Sequence, residues 1–333
     1  MLSLSAGDEA ELERWRTMAG RCELPEQKRR PFSTAAEAVL RLPRAMSIIV
    51  RDKLHAAGAL GPVRLNPGEV ADVESLDKIS RVEIMLHLLG IGSALAQTQV
   101  PGGAIGAVAE GGSGAFYVGS NIEWRGPGIK FSVHGAQAAV LSAWMAGETQ
   151  LHHLMVETEP CACCRQFLRE TWDWTNMKVL IVPDGPGSAG ERTIKEIGLN
   201  LKGLRTDGLA ANLLREPKQA PAVVDDQRDL AKLAAASALL SYAPYSRNFA
   251  GVALRAKNGV IHHGRYAETR ESIAGVMAIE AALINIALCG GQMTEVEDIV
   301  LVESKGMVTQ FAATQQLAQR MGGIPFRFLM TKG

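Results

Sequence analysis

The chain repeats itself at an offset of 145 residues, and a repeat of that length limits what it can fold into more than any other feature. Gly106 falls on Gly251, Gly114 on Gly259, Gly119 on Gly264 and Glu123 on Glu268. In both copies apolar residues flank the first glycine, a glycine-containing turn follows, and Gly-x-x-x-Glu closes the unit. Each copy reads as a β-hairpin, 105–109 with 116–119 and 251–255 with 260–264, joined by turns at 111–114 and 257–259. Helical segments rich in Ala, Leu and Ile precede the hairpins at 79–97 and 230–241, and Ala-rich helices follow them at 136–146 and 273–288. Short β-branched runs come next, at 154–157 and 179–182 and then at 299–302 and 326–329. Helices alternating with strands predict an α/β chain: a three-layer α/β/α sandwich with a mixed sheet, duplicated.

The length of 333 residues suits two such units, taking roughly 150 residues per domain. The expected organisation is a helical N-terminal extension at 1–70, broken by Pro25, Pro31, Pro43, Pro62 and Pro67 and packed on the first copy. A first domain at 71–205, a linker at 206–226 interrupted by Pro217 and Pro221, and a second domain at 227–333 follow. Formal net charge is zero, and polynucleotide binders usually show a basic face, so no nucleic-acid partner is expected. No apolar run approaches the ~18 residues of a membrane span, and the N-terminus turns acidic by Asp8 without a signal peptide's apolar core. The five cysteines are Cys22, Cys161, Cys163, Cys164 and Cys289, an odd total that suits a disulfide framework poorly. Free thiols in a reducing compartment, the cytoplasm, are the expectation.

Three of those cysteines crowd into Pro160-Cys161-Ala162-Cys163-Cys164, about thirty residues after His134. One imidazole and a Cys-x-x-Cys pair make three zinc ligands and leave the fourth tetrahedral position open, as catalytic zinc requires. Cys161 and Cys164 open a predicted helix running to Trp172, where N–H groups and the helix dipole stabilise thiolates. His134 opens the preceding long helix. The competing reading makes Cys161 and Cys164 buried small hydrophobes or a redox pair. Cys163 points away if its neighbours are ligands. His152 and His153 begin a strand, with a surface or core role. The zinc deaminases carry H-x-E followed by P-C-x-x-C, in which the Glu moves protons. Here that position is Ala136.

The first copy carries Gly119-Ser-Asn121-Ile-Glu123-Trp, His134-Gly-Ala-Gln-Ala-Ala and Pro160-Cys-Ala-Cys-Cys-Arg-Gln-Phe-Leu. The second carries Ala243-Pro-Tyr-Ser246 and Gly251-Val-Ala-Leu. On these motifs residues 60–333 resemble the cytidine deaminase family, in its two-domain homodimeric branch with a catalytic copy and a degenerate one. The resemblance implies zinc-dependent hydrolytic deamination of free cytidine- or deoxycytidine-type nucleosides to uridine-type products, as in cytoplasmic pyrimidine salvage. It implies one Zn2+ per chain on His134, Cys161 and Cys164, activating a water to attack C4 of the base. It places Asn121 and Glu123 on the ribose 3′-hydroxyl, and the Gly135 backbone and Glu159 carbonyl on the base. An amide and a carboxylate at alternate positions of a strand end can share a sugar hydroxyl; they can also form a simple turn.

Two departures from the family pattern bear on activity. The Ala136 methyl can neither take nor deliver a proton, and losing a positioned acid/base costs about 10²–10⁴-fold. Gly103 stands where relatives usually place a Phe against the base, which leaves room for an N4 substituent. In the second copy Glu280 lies within one residue of the equivalent of position 136, with alanine expected at the ligand position, and reads as structural. Three readings stay open: an enzyme impaired by Ala136 that traps substrate, a natural zinc-containing pseudoenzyme that binds a nucleoside without turnover, and a metal-stabilised structural protein.

Overall fold

The computed structural model describes residues 34–56, 61–98, 103–124, 131–182, 195–197, 210–215, 224–226, 228–271 and 274–332. The first copy is preceded by α1 (Ala35–Leu40), α2 (Arg44–His55), β1 (Arg64–Leu65) and α3 (Pro67–Asp77). It then runs through α4 (Arg81–Ala94), β2 (Gln97–Thr98), β3 (Gly106–Gly111), β4 (Phe116–Ser120), β5 (Ile122–Glu123) and β6 (Ser132–Val133). It ends with α5 (Gly135–Met145), β7 (Leu151–Val156), α6 (Ala162–Leu168), β8 (Lys178–Ile181) and β9 (Lys195–Ile197). The second comprises α7 (Asp229–Leu239), β10 (Ala250–Ala256), β11 (Ile261–Arg265), α8 (Ala278–Leu288), β12 (Val296–Glu303), α9 (Phe311–Arg320) and β13 (Phe326–Met330).

The strand orders repeat. The first sheet runs β1-β4-β3-β7-β8-β9 and the second β11-β10-β12-β13, with β2-β5-β6 as a small third sheet. In the shared four strands, β4-β3-β7-β8 and β11-β10-β12-β13, two antiparallel pairings are followed by a parallel one, so both sheets are mixed. The glycines at the repeat offset explain the layers. A Cβ on Gly106 would lie 2.3 Å from the Leu89 carbonyl of α4, and one on Gly119 would lie 2.3 Å from the Ala139 nitrogen of α5. Gly106 pairs with Ser120 and Gly119 with Ala107, so the two glycines face opposite sides of the sheet. In the second copy Gly251 meets Ala234 of α7 and Gly264 meets Ala282 of α8, each at 2.2 Å. Helix backbone touches strand backbone at all four places, and any side chain would force the layers apart. Gly114 and Gly259 sit in the hairpin turns with φ of +87° and +82°.

The expected elements are in place, with shifted ends. The helix expected from 273 begins at Ala278, because Val276 is bridged to Ala267 in extended pairing and cannot enter a helix. Helix α9 and strand β9 had no counterpart in the sequence reading. The matching helix starts also correct the second copy's register. Met277 caps α8 as His134 caps α5, so the ligand position is Met277 and not alanine, and Glu280 corresponds to Gln137. Glu280 accepts the Met277 N–H at 2.8 Å, a structural cap.

The N-terminal helices join the same buried cluster as both sheets, through Val39, Met46 and Val50. Asp77 caps α2 by accepting from Ala45 and Met46 at 2.9 and 3.0 Å. Val63 donates to the Leu288 carbonyl at 3.0 Å, so this segment meets the second copy as well as the first. Residue 70, the expected boundary, falls inside α3, and β1 before it pairs with β4 of the first sheet. Between the copies, the buried Glu170 carboxylate accepts from the Tyr242 hydroxyl at 2.7 Å, the Tyr245 hydroxyl at 2.9 Å and the Arg270 N–H at 2.8 Å. Cys22, Pro217 and Pro221 lie outside the described residues. No helix among those described is long and apolar enough to cross a membrane.

Candidate metal centre

Two helix starts build the site. His134 is the N-cap of α5 and Cys161 the N-cap of α6, both extended, with φ of −85° and −64°. Strand β7 delivers the chain to Pro160 and so brings the second helix start beside the first. His134 Nδ1 lies 3.3 Å from the sulfur of Cys164 and 3.3 Å from that of Cys161. The three donor atoms lie within 4.8 Å of one another, and no other such group of His, Cys, Asp or Glu occurs among the described residues. Tetrahedral zinc, at about 2.3 Å from sulfur and about 2.0 Å from nitrogen, holds such donors about 3.6–3.8 Å apart. The residues present therefore fit zinc, which is the cofactor.

The electrostatics agree with a metal-ready trio. Hydrogen bonds from Cys164 and His134 draw the Cys161 thiol down to about 3. His134 is raised, chiefly by its hydrogen bond to Cys161, and Cys164 is raised by the Cys161 thiolate and by burial. Metal binding requires deprotonated thiols, and the lowered Cys161 thiol beside His134 favours that state. Cys163 is partly exposed beside the trio, and its thiol is raised, first by burial. His153 bonds Glu110 at 2.6 Å on the far part of the sheet, away from the site.

A cavity of about 320 Å³ opens in front of the trio. It brings together the residues expected to bind metal or nucleoside: Gly103, Asn121, Glu123, Gly135, Ala136 and Glu159 line it along with His134, Cys161 and Cys164. Asn121 is buried and uses its amide on the loop before β3, accepting from Ile105 N–H at 2.7 Å and donating to Gly103 carbonyl at 3.1 Å. It holds in place the loop that carries Gly103. Glu123 receives a 3.4 Å contact from Asn121 on one oxygen, while its buried Oε2 has no hydrogen-bond partner among the described residues. Its repeat equivalent Glu268 is occupied, accepting from the Tyr245 and Ser246 N–H groups at 2.8 and 3.0 Å. A buried carboxylate oxygen without a donor is costly, so the cavity is a place for a donor group.

Gly135 is required by the close approach of β3, since a Cβ there would lie 2.9 Å from the Ile105 carbonyl. At Gly103, among the described residues, a Cβ would meet only the Ile105 side chain, at 3.9 Å. Ala136 sits at the second residue of α5, 6% exposed, with its methyl on the cavity wall. Glu159 is exposed at the rim, 3.4 Å from Arg165. The sequence reading missed Ile105, Val156 and Thr158 in the lining and missed Glu157 behind it. Glu157 is buried against Ser93, its hydrogen-bond donor, and burial raises it to about 7. No pattern in the chain signals it. In the second copy the positions of the three metal donors are Met277, Gln310 and Ala313, which offer no comparable set.

Comparison with known proteins adds sequence kinship. The family model "Cytidine and deoxycytidylate deaminase zinc-binding region" matches residues 202–315, a stretch largely within the second copy. The curated cytidine deaminase of Yersinia pestis (strain Pestoides F) is 32% identical over 268 residues, covering 80% of this chain and 88% of that protein. That of Yersinia pseudotuberculosis serotype O:1b (strain IP 31758) matches to the same extent, 32% over 268 residues. Among solved structures, the cytidine deaminase of Burkholderia pseudomallei is 16% identical with a TM-score of 0.29, covering 36% of this chain and 94% of that one. The Mycobacterium tuberculosis enzyme is 23% identical with a TM-score of 0.28, covering 32% and 89%.

Proposed function

This chain belongs to the cytidine deaminase family, and from that premise we propose that its first copy binds free cytidine- or deoxycytidine-type nucleosides for zinc-dependent hydrolytic deamination. The observation that carries the substrate class is Glu123, which lines the same cavity as the three metal donors and whose Oε2 has no hydrogen-bond partner among the described residues. A ribose hydroxyl is the donor it lacks. Zinc held by His134, Cys161 and Cys164 would supply Lewis acidity, making water nucleophilic near neutral pH. The chain's own residues do the rest. Glu123 accepts the ribose hydroxyl, and Asn121 keeps Gly103 and Ile105 in place around it. The Gly135 backbone and the Glu159 carbonyl contact the base, and a Gly103 without a side chain leaves space beyond N4 for a substituent.

What the chain lacks is a group at Ala136 to move protons, so turnover is slow and bound nucleoside is held. That same methyl group favours a second reading, a zinc-containing pseudoenzyme that binds a nucleoside without converting it. Calorimetry tests the substrate class under either reading. The zinc-loaded chain binds cytidine saturably, and Glu123→Ala weakens binding about 10–100-fold, the range for a lost hydrogen bond to a charged group. Unchanged cytidine affinity in that variant would remove Glu123 from the ribose site.

We also assign the chain to the two-domain branch, with a first domain at 71–205 carrying the site and a degenerate domain at 227–333. It works as a cytoplasmic homodimer in pyrimidine salvage. Two duplicated chains give four similar units and two zinc sites. Light scattering at micromolar concentration returns the mass of a dimer; a monomer there would overturn this assembly.

A further inference from the structure

Gln137 uses both ends of its side-chain amide, and the two ends lie in different copies. It is the third residue of α5 and 4% exposed. Its Oε1 accepts the backbone N–H of His134 at 3.1 Å. Its Nε2 donates to the carbonyl of Ala274 at 2.9 Å, across 137 residues of chain. The acceptor is itself held. Ala274 is 1% exposed and its N–H donates to Glu271 at 2.9 Å, while Val276 and Ala267 exchange N–H···O bonds of 2.9 and 3.0 Å two residues on. In the second copy the same helix position is Glu280, whose carboxylate caps Met277 but has no N–H to offer a carbonyl. Only an amide makes both bonds of Gln137.

We propose that Gln137 is a positioning residue for the zinc site, and that segment 274–276 of the second copy is its anchor. The inference rests on His134 being a zinc ligand. As an N-cap, His134 has its backbone outside the helix ladder, so the peptide orientation that aims its ring depends on what its N–H bonds. The Gln137 carbonyl oxygen is that partner. The bond to Ala274 keeps the Gln137 side chain from rotating away. The degenerate copy thereby holds the metal-binding histidine of the other copy, with Nδ1 at 3.3 Å from both sulfurs. Groups that orient a metal ligand from behind change metal affinity by about 10–100-fold when removed.

The full-length chain, loaded with zinc or cobalt(II), tests this without any turnover. Zinc affinity is read by competition with a chromophoric chelator, and site geometry by the cobalt–thiolate visible bands. Gln137→Met removes both bonds, and zinc affinity falls about 10–100-fold with displaced cobalt bands. Gln137→Glu keeps the acceptor for His134 and loses the donor to Ala274, and affinity falls at least several-fold. Tyr245→Phe is the control. It removes a different bond between the copies, lowers the melting temperature, and leaves zinc affinity and cobalt bands unchanged. Parent-like affinity and bands in both Gln137 variants would overturn the proposal. A weakened Gln137→Met beside a parent-like Gln137→Glu would overturn the anchoring role of the second copy. A parent chain that binds no zinc would overturn the metal site itself, a failure distinct from that of the positioning role.

Discussion

Replacing Ala136 by Glu raises cytidine deamination by at least about 10³-fold, roughly 4 kcal/mol of transition-state stabilisation. The reason is local. Position 136 is the second residue of α5, its side chain faces the cavity, and two residues before it stands His134, one of the three candidate metal donors. A carboxylate at that place stands at a helix N-terminus, where its charge is favoured, and can carry a proton between water and the leaving amine. Zinc and nucleoside binding depend on other residues and stay near the parent values. The assay uses cytidine, deoxycytidine and an N4-acylcytidine. Turnover of all three is the expected result, because Gly103 offers no side chain to the cavity and among the described residues a Cβ there would touch only Ile105, at 3.9 Å. Activity on the small substrates alone would leave deamination standing and discard the enlarged pocket. No turnover of any would make the chain a pseudoenzyme.

Substituting Cys161 and Cys164 together by Ala takes zinc from one per chain to none by elemental analysis. His134 alone is a single neutral donor, and neither Met277, Gln310 nor Ala313 gives the second copy a substitute set. The fold survives the change. Cys164 is buried in the main cluster, and shortening it to Ala removes one sulfur atom, a small-cavity effect of about 1–2 kcal/mol. Loss of zinc with a retained cooperative melt separates a catalytic ion from one that holds the domain together. Zinc content unchanged in the double variant would refute the site, and a second zinc located in the C-terminal copy would refute its degeneracy.

Much of the metal centre was legible because its donors report themselves locally. Cys161 and Cys164 lie within one helical turn, and His134 and Pro160 mark the starts of two helices. The second copy was harder to read. A single offset of 145 aligns the hairpins, yet the following helices match at 143, since the connection between β11 and α8 is two residues shorter than that between β4 and α5. That drift put alanine at the ligand position and Glu280 beside position 136. The helix caps correct both. Helix α9 escaped notice because its ten residues FAATQQLAQR bury only Thr314, Leu317 and Ala318, too narrow an apolar stripe to stand out.

By itself the sequence determined the duplicated α/β plan, through glycines whose positions admit no side chain between helix and strand. It also determined the chemistry of the metal donors and the missing carboxylate, since side-chain identity is all that either requires. Tertiary structure alone decided what those residues face. Among the described residues it left Glu123 Oε2 without a donor and occupied Glu268, although both are the same residue in the same motif. It joined Gln137 to Ala274 and ran the N-terminal segment onto Leu288 of the second copy. The reason is that hydrogen-bond partners far apart in the chain are chosen by how layers pack, and periodicity within one segment carries no record of the other.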